Sequence, residues 1–217
     1  MDRDPGPEDQ NTDVNVVVDP GGRTLTWIPR DLFSKKLGDR INSVFRLGGD
    51  QARYREIIAD VGFRVEHSVI IWPKAVCRAI EGVSVLVPIN KVTKYLYPLT
   101  PWQEMKRGGK KVEFSSRTGP LSGERIHQWI GARTRLPGSW SYHPYPDFDR
   151  CLRQQRLIRV LLDTGFKFSR LLGDGFKASG PGAIDELKKV NRRWGTILFD
   201  KVVPKTINGT EAFARKG

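Results

Sequence analysis

Val14-Asn15-Val16-Val17-Val18-Asp19-Pro20-Gly21-Gly22-Arg23-Thr24-Leu25-Thr26-Trp27-Ile28 reads as two strands around one turn. The β-branched run Val16–Val18 suits an extended chain. Pro20 presets φ for a turn, and the glycines after it tolerate φ values closed to other residues. Residues 24–28 then alternate polar and apolar, the period of a half-buried strand. An N-terminal β-hairpin is therefore the first expected element.

Outward from it, helical and strand periods intermix. Phe33, Leu37, Ile41, Val44 and Phe45 share a helical face, so a helix is predicted over 29–47, stopped by Gly48-Gly49. Asp50 caps a second helix with Tyr54, Ile57, Ile58 and Val61 inward. Phe63 to Ile71 alternates as a strand. A short helix over 75–80, a strand over 83–87 and a strand over 110–115 follow. Residues 95–102 read as extended. Ser122 is placed to cap a helix bearing Ile126, Trp129 and Ile130. Residues 136–146 read as a loop rich in Pro, Gly and aromatics.

Asp147, following Pro146, reads as the cap of a helix over 147–162. A last helix over 183–194 carries Ala183, Ile184, Leu187, Val190 and Trp194 at helical spacing, and a strand over 196–203 follows it. Trp27, Trp72, Trp129 and Trp194 sit in patterned elements and are assigned to the core. Strand–helix–strand units are too few and irregular for a doubly wound sheet, so the expected fold is α+β. It is read as one compact domain of interspersed helices and short strands. Residues 1–13 form an acidic tail with no apolar period. The domain then spans 14–210, with a possible internal boundary at 117–123, and 211–217 frays.

The chain has 37 Lys+Arg and 24 Asp+Glu in 217 residues, a net charge of +13. The imbalance is local. Residues 1–22 hold six acids and one base, leaving a body of net +18. Solubility of a small domain needs a charge of only about 2 to 8, so the excess points to a polyanionic partner. Two cysteines make neither a disulfide framework nor a zinc site. No apolar run is long enough to span a bilayer, and no signal segment precedes the domain. A reducing cytoplasmic or nuclear setting is the expectation, or a virion.

Catalytic signatures are sparse. The chain lacks G-x-x-x-x-G-K-[ST] and G-x-S-x-G, and Gly173-Asp174-Gly175 lacks the third glycine of a dinucleotide fingerprint. Asp147-Phe148-Asp149 has the form of a divalent-ion pair, yet a helix cap and an i, i+4 partner for Arg153 explain it as well. Glu186-Leu187-Lys188 has half of a nuclease metal motif, but helical period sends its two residues to different faces. No catalytic residue, cofactor or metal ligand is assigned.

Three basic clusters carry the functional expectation. Lys106, Arg107, Lys110, Lys111 and Arg117 surround a Gly-Gly pair. Arg150, Arg153, Arg156 and Arg159 recur every third residue on the 147–162 helix. Lys188, Lys189, Arg192 and Arg193 lie opposite the apolar stripe of the last helix. Arginine pairs phosphate bidentately and stacks on bases. Trp102, Trp140, Tyr142 and Tyr145 neighbour these clusters and are the stacking candidates. The leading expectation is a non-enzymatic, sequence-tolerant nucleic-acid-binding protein, with single-stranded RNA as partner and viral packaging as context. The alternative is a matrix-like protein on an acidic membrane surface. A third reading is a nucleic-acid-processing enzyme with a dispersed metal site. The tail would compete for the basic surface or hook a basic partner, and self-association is compatible with either binding role.

Overall fold

A computed structural model describes residues 14–71, 73–97, 109–132, 134–172, 176–199, 202–207 and 210–215. The acidic tail, Trp72, Trp102, Lys106, Arg107 and the Gly173–Gly175 segment lie outside them. The fold is α+β and opens on the expected hairpin. Its backbone groups into two compact units, one built from residues up to Ile70 and from Lys177 onward, the other from Ile71–Phe176.

In the first unit, β1 (Asn15–Asp19) pairs antiparallel with β2 (Thr24–Ile28) in the register Asp19↔Thr24 to Asn15↔Ile28. Leu25, Trp27 and Ile28 are buried. After β2 the predicted 29–47 helix does not form. The chain makes a small antiparallel pair, β3 (Phe33–Ser34) with β4 (Asp39–Arg40), then a single 3-10 turn at Ile41–Ser43. Gly38 at φ 72° turns between the two strands, a conformation that interrupts a right-handed helix. Of the predicted face, Phe33 lies on β3, Leu37 in the turn after it, Ile41 in the 3-10 turn and Val44 at its C-cap, the last two buried. Their helical spacing is coincidental.

Helix α1 (Gln51–Asp60) forms as its period requires, and the Asp50 carboxylate accepts from the Arg53 N–H at 2.8 Å as cap. At its far end Asp60 accepts from the Ser34 hydroxyl at 2.6 Å and from the Lys36 N–H at 3.2 Å. These bonds tie the β3–β4 ribbon to α1. Of the predicted 63–71 strand only β5 (Val69–Ile71) is ladder-bonded.

Unit two is built on α2 (Pro73–Ala79), β6 (Ser84–Val85), β7 (Thr93–Tyr97), β8 (Lys110–Phe114), β9 (Leu121–Ser122), α3 (Glu124–Gly131), β10 (Thr134–Arg135) and α4 (Pro146–Asp163). Its sheet runs β10-β7-β8, all antiparallel, and β6 pairs with β9. Tyr95, Phe114, Leu121, Ile126, Trp129, Leu157 and Leu161 share one core, with Phe114 and Trp129 edge-to-face at 4.9 Å. Gly123 at φ 46°, not Ser122, occupies the N-cap of α3. Likewise α4 starts one residue earlier than expected. Tyr145 is its N-cap, Pro146 opens it, and Asp147 lies within the first turn.

The chain returns to the first unit through β11 (Phe176–Ala178), which pairs with β5. Helix α5 (Pro181–Lys189) is shorter than the predicted 183–194, because Val190 has extended backbone and residues 191–194 turn. Trp194 is nonetheless buried. The strand β12 (Gly195–Leu198) then lies parallel to β2, from Gly195↔Thr24 to Leu198↔Trp27. The segment expected to fray forms a hairpin instead, β13 (Val202–Ile207) with β14 (Thr210–Arg215). Phe213 is buried beside Leu32, where the two residues form a parallel bridge.

The Asp60 bonds set a pH dependence. The Ser34 hydroxyl foremost, then the backbone N–H groups of Lys36 and Lys35, hold this carboxyl below its ordinary value against partial desolvation. A depressed carboxyl contributes stability that is complete above the unfolded value of about 4 and is lost as pH falls through the folded one. Asp60→Asn should therefore lower the melting temperature near neutrality and flatten its decline below about pH 4. An unchanged acid limb in a melting series across pH 2 to 6 would deny the bonds this role.

Candidate functional site

The arginines spaced by three along α4 turn about −60° per step, so the four do not share a face. Arg156 and Arg159 are exposed, whereas Arg150 and Arg153 are buried, 3% and 0% accessible. The expected single basic face of this helix is thus corrected. Half of it is interior.

Arg153 is bound on several sides. Its Nε faces Asp149 Oδ2 at 3.3 Å, and its terminal nitrogens donate to the Trp129 and Ala132 carbonyls at the end of α3. Those carbonyls belong to the negative end of a helix dipole. The guanidinium also lies 4.3 Å from the Tyr95 ring centre. Burial pulls the Arg153 value down, while Tyr95 and Asp149 oppose the shift. Asp149 is saturated in turn. It accepts from the Tyr95 hydroxyl at 2.8 Å and, through Oδ1, from the Tyr142 N–H at 2.6 Å. Burial foremost raises Tyr95, which therefore stays a neutral donor. The i, i+4 pairing of Asp149 with Arg153 is as the sequence implied.

One turn earlier, Asp147 pairs with Arg150 at 2.7 Å, both nearly inaccessible. The second Asp147 oxygen has no hydrogen-bond partner among the described residues. The D-x-D sequence thus splits between two arginines instead of converging on an ion. Outside this buried layer lies a shallow pocket at the start of α4, lined by Arg135, Ser141, His143, Pro144, Pro146 and Asp149. Arg135 is exposed and donates to the Ser141 hydroxyl. His143 stacks on Phe148 at 4.8 Å. An accessible guanidinium, a hydroxyl and an imidazole form a setting for a phosphate oxygen, with the Asp149 carboxylate in the wall turned to its own three donors.

The stacking candidates divide similarly. Tyr142 is wedged between the Arg156 guanidinium at 4.4 Å and Trp140 at 4.5 Å, and Lys91 covers the Trp140 ring at 5.3 Å. These rings brace the loop against its cations. Tyr145 is exposed. Lys110 and Lys111 are exposed on β8, with Lys110 3.8 Å from Glu124, and Arg117 is exposed in the following turn. Lys188 and Lys189 pair on α5 with Asp185 at 3.5 Å and Glu186 at 2.6 Å. Arg192 and Arg193 lie beyond that helix, in the turn before β12.

Sequence reasoning passed over Arg135 and Ser141, and also a cluster in the first unit. There Asp31, nearly buried, lies 3.9 Å from Arg30 and 3.4 Å from Arg40. Arg40 and Arg46 both approach Asp39. The available signal was position: Arg30-Asp31 follows the end of β2, where a charged pair has no place in the strand pattern.

No protein-family model and no curated protein sequence matches the chain. Solved structures do. The gbs0355 protein of Streptococcus agalactiae superposes with a TM-score of 0.63 at 14% identity, over 94% of this chain and 74% of that one. TagT bound to LIIa-WTA gives 0.59 at 16%, over 98% and 88%. TagV of B. subtilis gives 0.56 at 16%, over 94% and 83%. The chain has the TagT fold. This overturns the reading of the basic body as an RNA-binding, viral packaging or matrix-like protein, and with it RNA and an acidic membrane as the expected partners. It equally removes the intracellular or virion setting, since wall teichoic acid is a bacterial cell-envelope polymer.

The buried pair yields a stability test. Removing one member of a buried ion pair strands the other, at about 3–5 kcal/mol. Arg153→Met should cost that much in urea unfolding. Arg153→Met combined with Asp149→Asn should cost less than the two single losses added, by about 1–3 kcal/mol. Strict additivity would mean that the two side chains act separately.

Proposed function

We propose that this chain binds a lipid-linked, phosphate-rich glycopolymer intermediate of the bacterial cell envelope and serves its attachment to peptidoglycan. The observation that carries the reading is the TagT fold, solved with LI-WTA and with LIIa-WTA, across 94% and 98% of this chain. Those ligands are wall teichoic acid lipid intermediates. A teichoic acid is a phosphodiester polymer, which suits a body of net +18 as well as a nucleic acid would.

The α4 pocket has the corresponding chemistry. Moving a phosphate-linked polymer onto a sugar hydroxyl requires donors fixed in advance where negative charge develops. In this reading the exposed Arg135 guanidinium takes the phosphate oxygens, with the Ser141 hydroxyl beside it. The His143 ring, whose Nδ1 accepts from the Tyr145 N–H at 3.2 Å, forms part of the pocket wall. Asp149 does not reach for substrate, because three donors already occupy it; its part is to hold the Tyr142 backbone and so shape the pocket wall. Arg153 in turn positions Asp149.

The test is binding of a purified wall teichoic acid lipid intermediate to the purified chain, wild type against Arg135→Gln. A hydrogen bond to a charged group contributes about 1.5–3 kcal/mol, so the variant should bind roughly 10- to 100-fold more weakly with an unchanged melting temperature. Failure of the wild type to prefer this lipid over a neutral prenol would overturn the reading.

A further inference from the structure

The turns at one end of the β1-β2-β12 sheet bring three arginines together. Arg23 closes the β1–β2 hairpin, and its carbonyl accepts from the Gly195 N–H at 2.9 Å. Gly195 opposes Thr24 in the parallel pair, so the turn over residues 191–194 ends beside Arg23. That turn is fixed by the Asn191 carboxamide oxygen, which accepts from the Arg193 N–H at 3.0 Å. Arg23, Arg192 and Arg193 therefore project from one sheet edge whose backbone is held on both sides.

Three features separate this edge from an ordinary solvated one. All three residues are exposed, and their guanidinium groups have no ion-pair or hydrogen-bond partner among the described residues. By contrast Lys188, Lys189 and Arg159 are each matched by an acid three or four residues away. Arg23 also sits at φ 50°, the only non-glycine described in the left-handed region. Glycine or asparagine takes that conformation at lower cost, and the sequence already supplies glycine one position earlier. A cation kept where the backbone disfavours it points to a role for the side chain.

We infer that Arg23, Arg192 and Arg193 form an exosite for the polymer portion of a phosphodiester glycopolymer. This rests on the reading of the chain as a glycopolymer-binding protein. A repeating phosphodiester presents single negative charges at intervals, and three exposed guanidiniums on held backbone at one end of the sheet match several of them at once. Their forks also bind each phosphate through two parallel hydrogen bonds.

The experiment compares wild type with the triple variant Arg23→Gln, Arg192→Gln, Arg193→Gln. Lipid-free poly(glycerol phosphate), long and dimeric, is one probe, and a pyrophosphate-linked lipid without polymer is the other. Wild type should bind the long polymer more tightly than the dimer and lose affinity with added salt. The triple variant should lose roughly tenfold on the long polymer, with a weaker salt dependence. It should bind the polymer-free lipid as wild type does and keep its melting temperature. If the triple variant unfolds early, Arg192→Gln and Arg193→Gln singly carry the same comparison. Equal polymer binding by wild type and variant overturns the exosite. An equal loss on single-stranded RNA or phosphatidylglycerol vesicles also overturns it, leaving a general anion patch. Failure of wild type to bind the polymer-free lipid counts against the lipid-intermediate reading and leaves the polymer comparison standing.

Discussion

One guanidinium organises the second unit. Arg153 is wholly buried, and its charge is answered by the Asp149 carboxylate, two carbonyls at the end of α3 and the face of Tyr95. Besides Asp149 on its own helix, the partners come from α3 and from β7, so the side chain fastens α4 to α3 and to the central strand. Desolvating an ion is costly unless every donor is met. The placement of Tyr95, Trp129 and Ala132 is thus tied to Arg153, and through Asp149 so is the loop at Tyr142. The pocket with Arg135 and His143 lies at the margin of this arrangement. Its walls derive their position from charges that never meet solvent.

The positive charge of the chain accordingly has two uses. Arg150 and Arg153 are structural, neutralised by Asp147 and Asp149 at 2.7 and 3.3 Å. Arg135, Arg23, Arg192 and Arg193 are exposed. Net charge alone does not distinguish the two groups, which is why the composition pointed to a polyanion without separating a nucleic acid from a cell-envelope polymer. Both are phosphodiester chains, and the same arginine chemistry meets either. Of the solved structures that share this fold, TagT carries wall teichoic acid intermediates, and the proposed function follows that likeness.

Local signals in the sequence were read well where one face of an element is simply apolar. The hairpin, α1 with its Asp50 cap, β8 and α4 follow directly from their periods. Reading failed over 29–47, where Phe33 and Leu37 belong to the β3–β4 ribbon and Ile41 and Val44 to the 3-10 turn and its C-cap after it, so that their spacing only imitates a helix. It also failed where pairing is distant in sequence. The parallel partner of β2 lies some 170 residues away at β12, and the last strand is fixed by a bridge to Leu32. Of the site, the Asp149–Arg153 pair was legible because it is an i, i+4 pair on one helix. The depth of Arg153 was not, because its other partners sit on α3 and β7. Arg135 and His143 stand in segments without period, and only the folded chain brings them to one pocket.

The account ties the α4 pocket to the phosphate of a lipid-linked glycopolymer. Photocrosslinking tests this most directly, using a wall teichoic acid lipid intermediate with a photoreactive group beside its phosphate and peptide mapping by mass spectrometry. The account predicts crosslinks concentrated in residues 134–150, competed away by unlabelled lipid intermediate. Crosslinks spread evenly over exposed lysines and arginines, or insensitive to the competitor, would contradict it.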